Sequence, residues 1–323
     1  MKKLLAFAVL LVILSISFSL LSMDVHGQAV GTSTQQIIPT TPYSAGGPTV
    51  VQVGVYIIDI QSINLASSNY QLDFYLWFNF NSSQINATSV AQFEFINGQP
   101  TIKEIAQSDG YIEYRVTGTF LKTFDFTNYP FESHTLFIEL EHENLDNTQL
   151  VYTIDPTSFI EPTGGVSGWN TGSLQTQILT HSYGIDQDFS RPEFDVTLGR
   201  PLISGVIKDV LPISIITGIS LLAFAMAAED YNNKMALGIT TLLSATAFHL
   251  SLDSGIPPTG YLTLADRMMI SVYILFLYNI GSAIYLMILA RKGKKEQATV
   301  YNRRSQRLLP IVIIACVILT LFI

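Results

Sequence analysis

Cysteine is almost absent from this 323-residue chain; Cys316 stands alone, so no disulfide can form within the chain. A domain exported without a disulfide must rest on a sizeable apolar core of its own. Charge is sparse as well, at 13% of residues. No G-x-S-x-G, H-E-x-x-H, P-loop or dinucleotide-binding glycine pattern occurs, and the scattered histidines do not assemble a nucleophile and its base in sequence. Neither an enzyme nor a cofactor is expected. Positive charge is scarcest of all between residues 28 and 200, which hold eighteen acidic side chains against five basic ones. The one basic run, residues 291–307, carries seven basic residues and one acid beside an apolar segment. There it reads as a topology signal and not as a nucleic-acid patch, so nucleic acid is excluded as a partner.

Long hydrophobic runs are what the chain has in abundance. Residues 1–27 begin with two lysines and an extended apolar stretch, which reads as a signal peptide, an uncleaved anchor being the alternative. Residues 28–48, rich in Gln, Thr, Pro and Gly, form a flexible lead-in. Four further apolar segments, about 210–228, 235–252, 268–290 and 308–323, have lengths suited to a lipid bilayer. The positive-inside rule puts a loop over 291–307 in the cytoplasm. The acidic region, three crossings away, then lies outside, as an export signal also requires. The expected location is the cell membrane, multi-pass, with the N-terminal domain extracellular or periplasmic.

Residues 49–201 carry a β pattern. VVQVGVYIIDI, YQLDFYLWFNF, YIEYRVTGTF and HTLFIELEH are rich in branched and aromatic residues, and Asn97-Gly98 and Asp109-Gly110 give turns between such runs. Short, regularly spaced strands without intervening helical periods predict an all-β sandwich. The predicted fold is therefore an extracellular β-sandwich followed by a four-helix transmembrane domain over 202–323.

The second membrane segment differs from one that faces only lipid. At helical spacing Ala236, Thr240, Leu243, Ala247, Leu250 and Ser254 share one side. Small and hydroxyl positions would wet a narrow path, and leucine rings would mark where it dries and closes; packing of small residues between helices is the other reading. Asp253 offers acidic charge at the outer end, and Glu229 and Asp230 offer it at the inner end, an arrangement that attracts cations. In the β region His134, Glu139, Glu141, His142 and Glu143 lie close in sequence. They fit a proton sensor, a divalent site at Glu139, Glu141, His142 and Glu143, or an exposed acidic turn.

A leader, a β-sandwich and four membrane helices with a pore-like second helix together resemble the pentameric ligand-gated ion channels. This is the nicotinic-receptor superfamily, in the prokaryotic form that lacks the loop disulfide. KMALGITTLLSATAF resembles the family's pore helix, with Leu243 at its central hydrophobic gate. Phe126-Thr127-Asn128-Tyr129-Pro130-Phe131-Glu132 resembles the loop with an F-P-F-D core that touches the membrane domain, with Glu132 in place of Asp. Leu211-Pro212, Arg200 and Trp169 also match, whereas Asn233 stands where many cation-selective members carry glutamate. The resemblance implies a homopentamer in the bilayer that passes ions, opened by a small-molecule agonist or protons. It also implies that the side chain of Lys234 turns away from the lumen. Agonist would lie between neighbouring β domains near Glu141, Glu143, Tyr183 and Phe189, and Pro130, Glu132 and Arg200 would couple sensing to opening. The alternative is a membrane-anchored binding protein that does not conduct.

Overall fold

The computed structural model describes residues 47–184 and 187–322. The signal peptide and most of the lead-in expected from the sequence lie outside the described residues. The chain divides into two compact units. One is a β unit reaching to Asp125 and resuming from Phe131 to Pro201; the other is a helical unit from Leu202 onward, which also claims the short segment Phe126–Pro130.

The β unit is a sandwich of two sheets. One sheet orders β4 (Thr101–Ser108), β5 (Tyr111–Leu121), β2 (Asn69–Phe80), β1 (Thr49–Asn64) and β7 (Leu150–Ile154), with β8 (Phe159–Ile160) also paired to β1. The other orders β3 (Phe93–Phe95), β6 (Ser133–His142), β10 (Asp188–Gly199) and β9 (Asn170–Ser182). Alternate residues point inward, as a two-residue period requires. Val51, Val53, Val55, Phe74, Leu76, Phe78, Leu136, Ile138, Leu140, Phe194, Val196 and Leu198 are all buried. Aromatic rings fill the centre: Phe93 and Phe95 meet edge-on with centroids 5.7 Å apart, and both lie near Phe74, Phe78 or Phe120. Each such side chain contributes about 1.5–3 kcal/mol of burial, which supplies cohesion that a disulfide would otherwise add. Two glycines are required by geometry. A Cβ on Gly54 would sit 2.4 Å from the Trp77 ring, and Gly110 turns the β4–β5 hairpin with φ +76° against the Phe80 carbonyl.

Among the described residues, the helical unit contains four helices long and apolar enough to cross a membrane: α2 (Leu202–Ala225), α3 (Tyr231–Asp253), α4 (Leu264–Arg291) and α5 (Lys295–Phe322). A short helix α1 (Ala87–Val90) belongs to the β unit, where the sequence shows no helical period. The loop expected over 291–307 is instead a three-residue turn, Lys292–Lys294, with Gly293 at φ +69°. α5 is helical from Lys295 because Ala298, Asn302, Ser305 and Leu309 continue, at steps of four and three, the buried face of Ile313, Cys316 and Thr320. Basic residues on the other face ended the apolar run in sequence without ending the helix. Cys316 is buried in the core with Ile213, Leu221, Phe224, Ala245, Met269, Phe276 and Ile313. Hydrogen bonds across helices reinforce this packing: Asn279 Nδ2 donates to the Ser220 carbonyl at 3.0 Å, and Ser271 Oγ to that of Cys316 at 2.9 Å.

Within the helical unit the segment Phe126–Pro130 is bound to the α3–α4 connection. The Leu264 and Ala265 N–H groups donate to the carbonyls of Thr127 and Tyr129 at 2.9 and 3.0 Å. The Phe126 N–H donates to the Tyr261 hydroxyl at 2.9 Å, and Arg267 Nη2 to the Thr127 carbonyl at 3.0 Å. The Tyr129–Pro130 peptide is cis.

Candidate ion pathway and sensing site

The helix α3 separates two faces. Lys234, Gly238, Thr241, Ala245 and Leu252 are buried against the chain's other helices. Ala236, Thr240, Leu243, Ala247, Leu250 and Ser254 are all exposed, and Leu243 and Leu250 each leave 67% of their surface uncovered. Gly238 permits the close approach, since a Cβ there would meet Ile280 Cγ1 at 2.8 Å. The exposed hydroxyls bond back to their own helix, Thr240 Oγ1 to the Ala236 carbonyl and Ser244 Oγ to that of Thr240, and so leave a smooth surface.

Charge brackets this face. Glu229 and Asp230 are exposed just before α3, and the Asp253 side chain at its far end is 53% exposed. Lys234 points the other way. Its ammonium is buried and donates to Asn302 Oδ1 on α5 at 2.6 Å, while Asn302 Nδ2 donates to the Met226 carbonyl at 3.3 Å. Neither Asn302 nor the extension of α5 that carries it is evident from the sequence.

In the β unit, three of the four expected agonist contacts come together. The Tyr183 hydroxyl donates to Glu141 Oε2 at 2.9 Å, and the Tyr183 and Phe189 rings meet edge-on with centroids 5.6 Å apart. The His181 ring also meets Tyr183 edge-on, with centroids 4.6 Å apart. Glu143 is exposed and stands apart from these contacts. Arg191, which sequence reasoning passed over, completes the cluster: its Nε donates to Glu141 Oε1 at 2.6 Å, and its Nη2 to the Tyr183 hydroxyl at 3.3 Å. Glu141 is therefore already neutralised. One signal for Arg191 was available, since it is one of five basic residues in an acidic domain.

The set Glu139, Glu141, His142 and Glu143 does not converge as a divalent site. β6 sends Glu139 and Glu141 to one face and His142 to the other. There both ring nitrogens are engaged, Nε2 with the Ser89 carbonyl and Nδ1 with the N–H groups of Asn144 and Leu145. Glu139 instead lies opposite Glu193 in the β6–β10 register, with Asp195 two residues along the same face. Burial, and then the neighbouring Glu193, push both Glu139 and Asp195 up to about 7. His134, buried among aromatic rings, is pushed down to about 4 by desolvation and then by the charges of Lys122 and Arg200. It stays neutral at physiological pH.

Glu132 and Arg200 form the expected ion pair. Arg200 Nε and Nη2 both donate to Glu132 Oε1, at 2.9 and 2.7 Å, and the Arg200 main-chain N–H donates to the Glu132 carbonyl at 3.2 Å. The Arg200 guanidinium lies over the Trp169 ring at 5.3 Å, and the Glu132 side chain is 1% exposed.

A family model described as the neurotransmitter-gated ion-channel transmembrane region matches residues 210–319, which run through all four membrane helices. By this match the helical unit is similar to the membrane region of the neurotransmitter-gated ion channels. A relative spanning nearly the whole chain is a proton-gated ion channel of Gloeobacter violaceus, 21% identical over 317 residues, covering 89% of this chain and 87% of that one. The human gamma-aminobutyric acid receptor subunit rho-2 is 22% identical over 205 residues, which are 62% of this chain and 42% of the subunit. An acetylcholine receptor subunit alpha-type, acr-7, of Caenorhabditis elegans is 27% identical over 165 residues, 48% of this chain and 30% of the subunit. The chain is a multi-pass membrane protein with its β-sandwich on the extracellular or periplasmic side. The family is one of ligand-gated channels and not of enzymes.

Proposed function

We propose that five copies of this chain surround an ion pathway lined by α3, selective for cations and opened by protons acting on the β unit. The observation that carries the reading is the pair of α3 faces. The chain packs one face and leaves Ala236, Thr240, Leu243, Ala247, Leu250 and Ser254 uncovered. In a ring of five, Leu243 would form an apolar constriction from which water withdraws, and an ion cannot enter without its hydration shell. Thr240 and Ala236 would line the inner mouth. Widening of the ring by tilt or rotation of α3 would rewet it.

Cation selectivity is supported by the exposed carboxylates of Glu229, Asp230 and Asp253 and by the inward turn of Lys234. Asn233 in place of a glutamate weakens the inner ring without reversing its sign. Protons are favoured as agonist for two reasons. Glu139 and Asp195 exchange protons near neutrality. The Glu141 carboxylate that would draw a cationic amine is already held by Arg191. The bound segment Phe126–Pro130, followed in sequence by Glu132 with its partner Arg200, is the proposed coupling element.

Purified protein in a planar bilayer tests the reading. Acidifying the outer side should produce single-channel steps, and asymmetric NaCl should give a reversal potential on the sodium side. Silence at every pH would leave a binding protein that does not conduct; a reversal potential on the chloride side would overturn the selectivity.

A further inference from the structure

At the outer end of α3 one imidazole and two carboxylates from two different helices converge. His249 Nε2 lies 3.0 Å from Asp266 Oδ1 and 3.7 Å from Asp253 Oδ1, and the three ligand atoms all fall within 4.8 Å of one another. A four-coordinate ion with bonds of about 2.1 Å holds its ligand atoms roughly 3.4 Å apart, so these separations need little adjustment.

The surroundings hold the donors in place. The second ring nitrogen of His249, Nδ1, lies 3.0 Å from the Tyr273 hydroxyl. That contact leaves Nε2 as the lone-pair nitrogen when Nδ1 carries the hydrogen, which is the orienting role an outer partner plays for a ligating imidazole. Asp266 is fixed in the same manner. Its Oδ2 accepts from both the N–H and the hydroxyl of Thr263 at 2.8 Å, which caps α4 and leaves Oδ1 facing the imidazole. Asp253 is the mobile, water-facing member, with its side chain 53% exposed against 20% for His249 and 19% for Asp266. An ion could therefore enter from the aqueous side through Asp253 and meet two donors already aligned.

We infer that His249, Asp253 and Asp266 form a binding site for a divalent transition-metal ion of the zinc class, one per chain. The nitrogen donor and tight spacing favour zinc over calcium, which takes six to eight oxygens. The bound ion ties the end of α3 to the start of α4 and balances both carboxylates. Its effect on current rests on the channel reading: by neutralising Asp253 and linking the two helices, it lowers cation conductance and opening.

Cobalt titration of the purified full-length protein, without an affinity tag, tests binding separately from conduction. The expected result is saturable uptake of one cobalt ion per chain, with the intense visible bands of four-coordinate cobalt, abolished by zinc. Tyr273→Phe should weaken binding about tenfold, and His249→Gln should remove the bands. Asp253→Asn changes an exposed side chain that should not affect folding, and it should also weaken binding at least tenfold. Uptake without bands, or bands that persist in both His249→Gln and Asp253→Asn, would overturn the site. Metal uptake without any current would uphold the site and contradict the channel reading. Currents without uptake would do the reverse.

Discussion

The ammonium of Lys234 donates to Asn302 Oδ1 at 2.6 Å, and this bond turns the one basic side chain at the start of α3 into the helical core. A lysine at this height facing the path would place five positive charges at the inner mouth and repel cations. Lys234 instead belongs to packing, so its removal should show in stability and not in selectivity. Lys234→Gln should cost about 1–3 kcal/mol through the buried groups it leaves imperfectly paired, read as a lower unfolding temperature of the detergent-solubilised protein. The reversal potential in asymmetric NaCl should not move; a large shift would show that the side chain faces the path.

Leu243→Ser should ease opening. A leucine side chain withdrawn from water is worth about 1.5–3 kcal/mol, and five would act together in the proposed closed ring. A net bias of only about 1.4 kcal/mol is a factor of ten. The concentration-response curve for the activating proton should shift by at least that factor toward higher pH. An unchanged curve would remove Leu243 from the barrier.

Arg200→Ala leaves the Glu132 carboxylate buried without its partner, at a cost of roughly 3–5 kcal/mol. Loss of assembled protein on size-exclusion chromatography, or loss of current at normal surface expression, is the expected outcome. Arg200→Lys should rescue little. An ammonium cannot reproduce two N–H groups on Glu132 Oε1 and the stacking of the guanidinium on Trp169.

The outer face of β6 and β10 makes a pH prediction with a definite sign. Glu139 and Asp195 hold their protons up to about 7 in the folded chain, whereas unfolded carboxylates release theirs near 4. Between those limits the folded state binds more protons than the unfolded one. Its stability therefore falls as pH rises from about 4 to about 7 and levels off above. Glu139→Gln with Asp195→Asn mimics the protonated pair. It should flatten that slope in thermal unfolding and leave the channel less dependent on acid for opening. An unaltered half-activation pH would move the proton sensor elsewhere.

Much of this architecture was legible because burial leaves a period. β1, β2, β5 and β6 each carry an apolar face, and the α3 stripe repeats at three and four. β4 and β9 were not legible. Their residues are almost all exposed in the single chain, so no alternation of apolar and polar marks them as strands. The start of α5 was hidden by its basic residues, although its buried positions keep the helical step. The contacts of the Glu141–Tyr183–Arg191 cluster were hidden for another reason. Arg191 and Glu141 are fifty residues apart and meet only because β10 lies beside β6. His249 and Asp253 are one helical turn apart and could be read from sequence; Asp266 joins them only through the α3–α4 connection.

Cysteine accessibility along α3 tests the central claim most directly. With the buried Cys316 replaced by serine, single cysteines from 236 to 254 should react with a charged, water-soluble thiol reagent at 236, 240, 243, 247, 250 and 254. Positions 238, 241 and 245 should stay protected, and reaction beyond Leu243 from the inner side should need the open state. Equal reaction around the helix, or reaction with a lipid-soluble reagent alone at the six positions, would show that this face does not meet water.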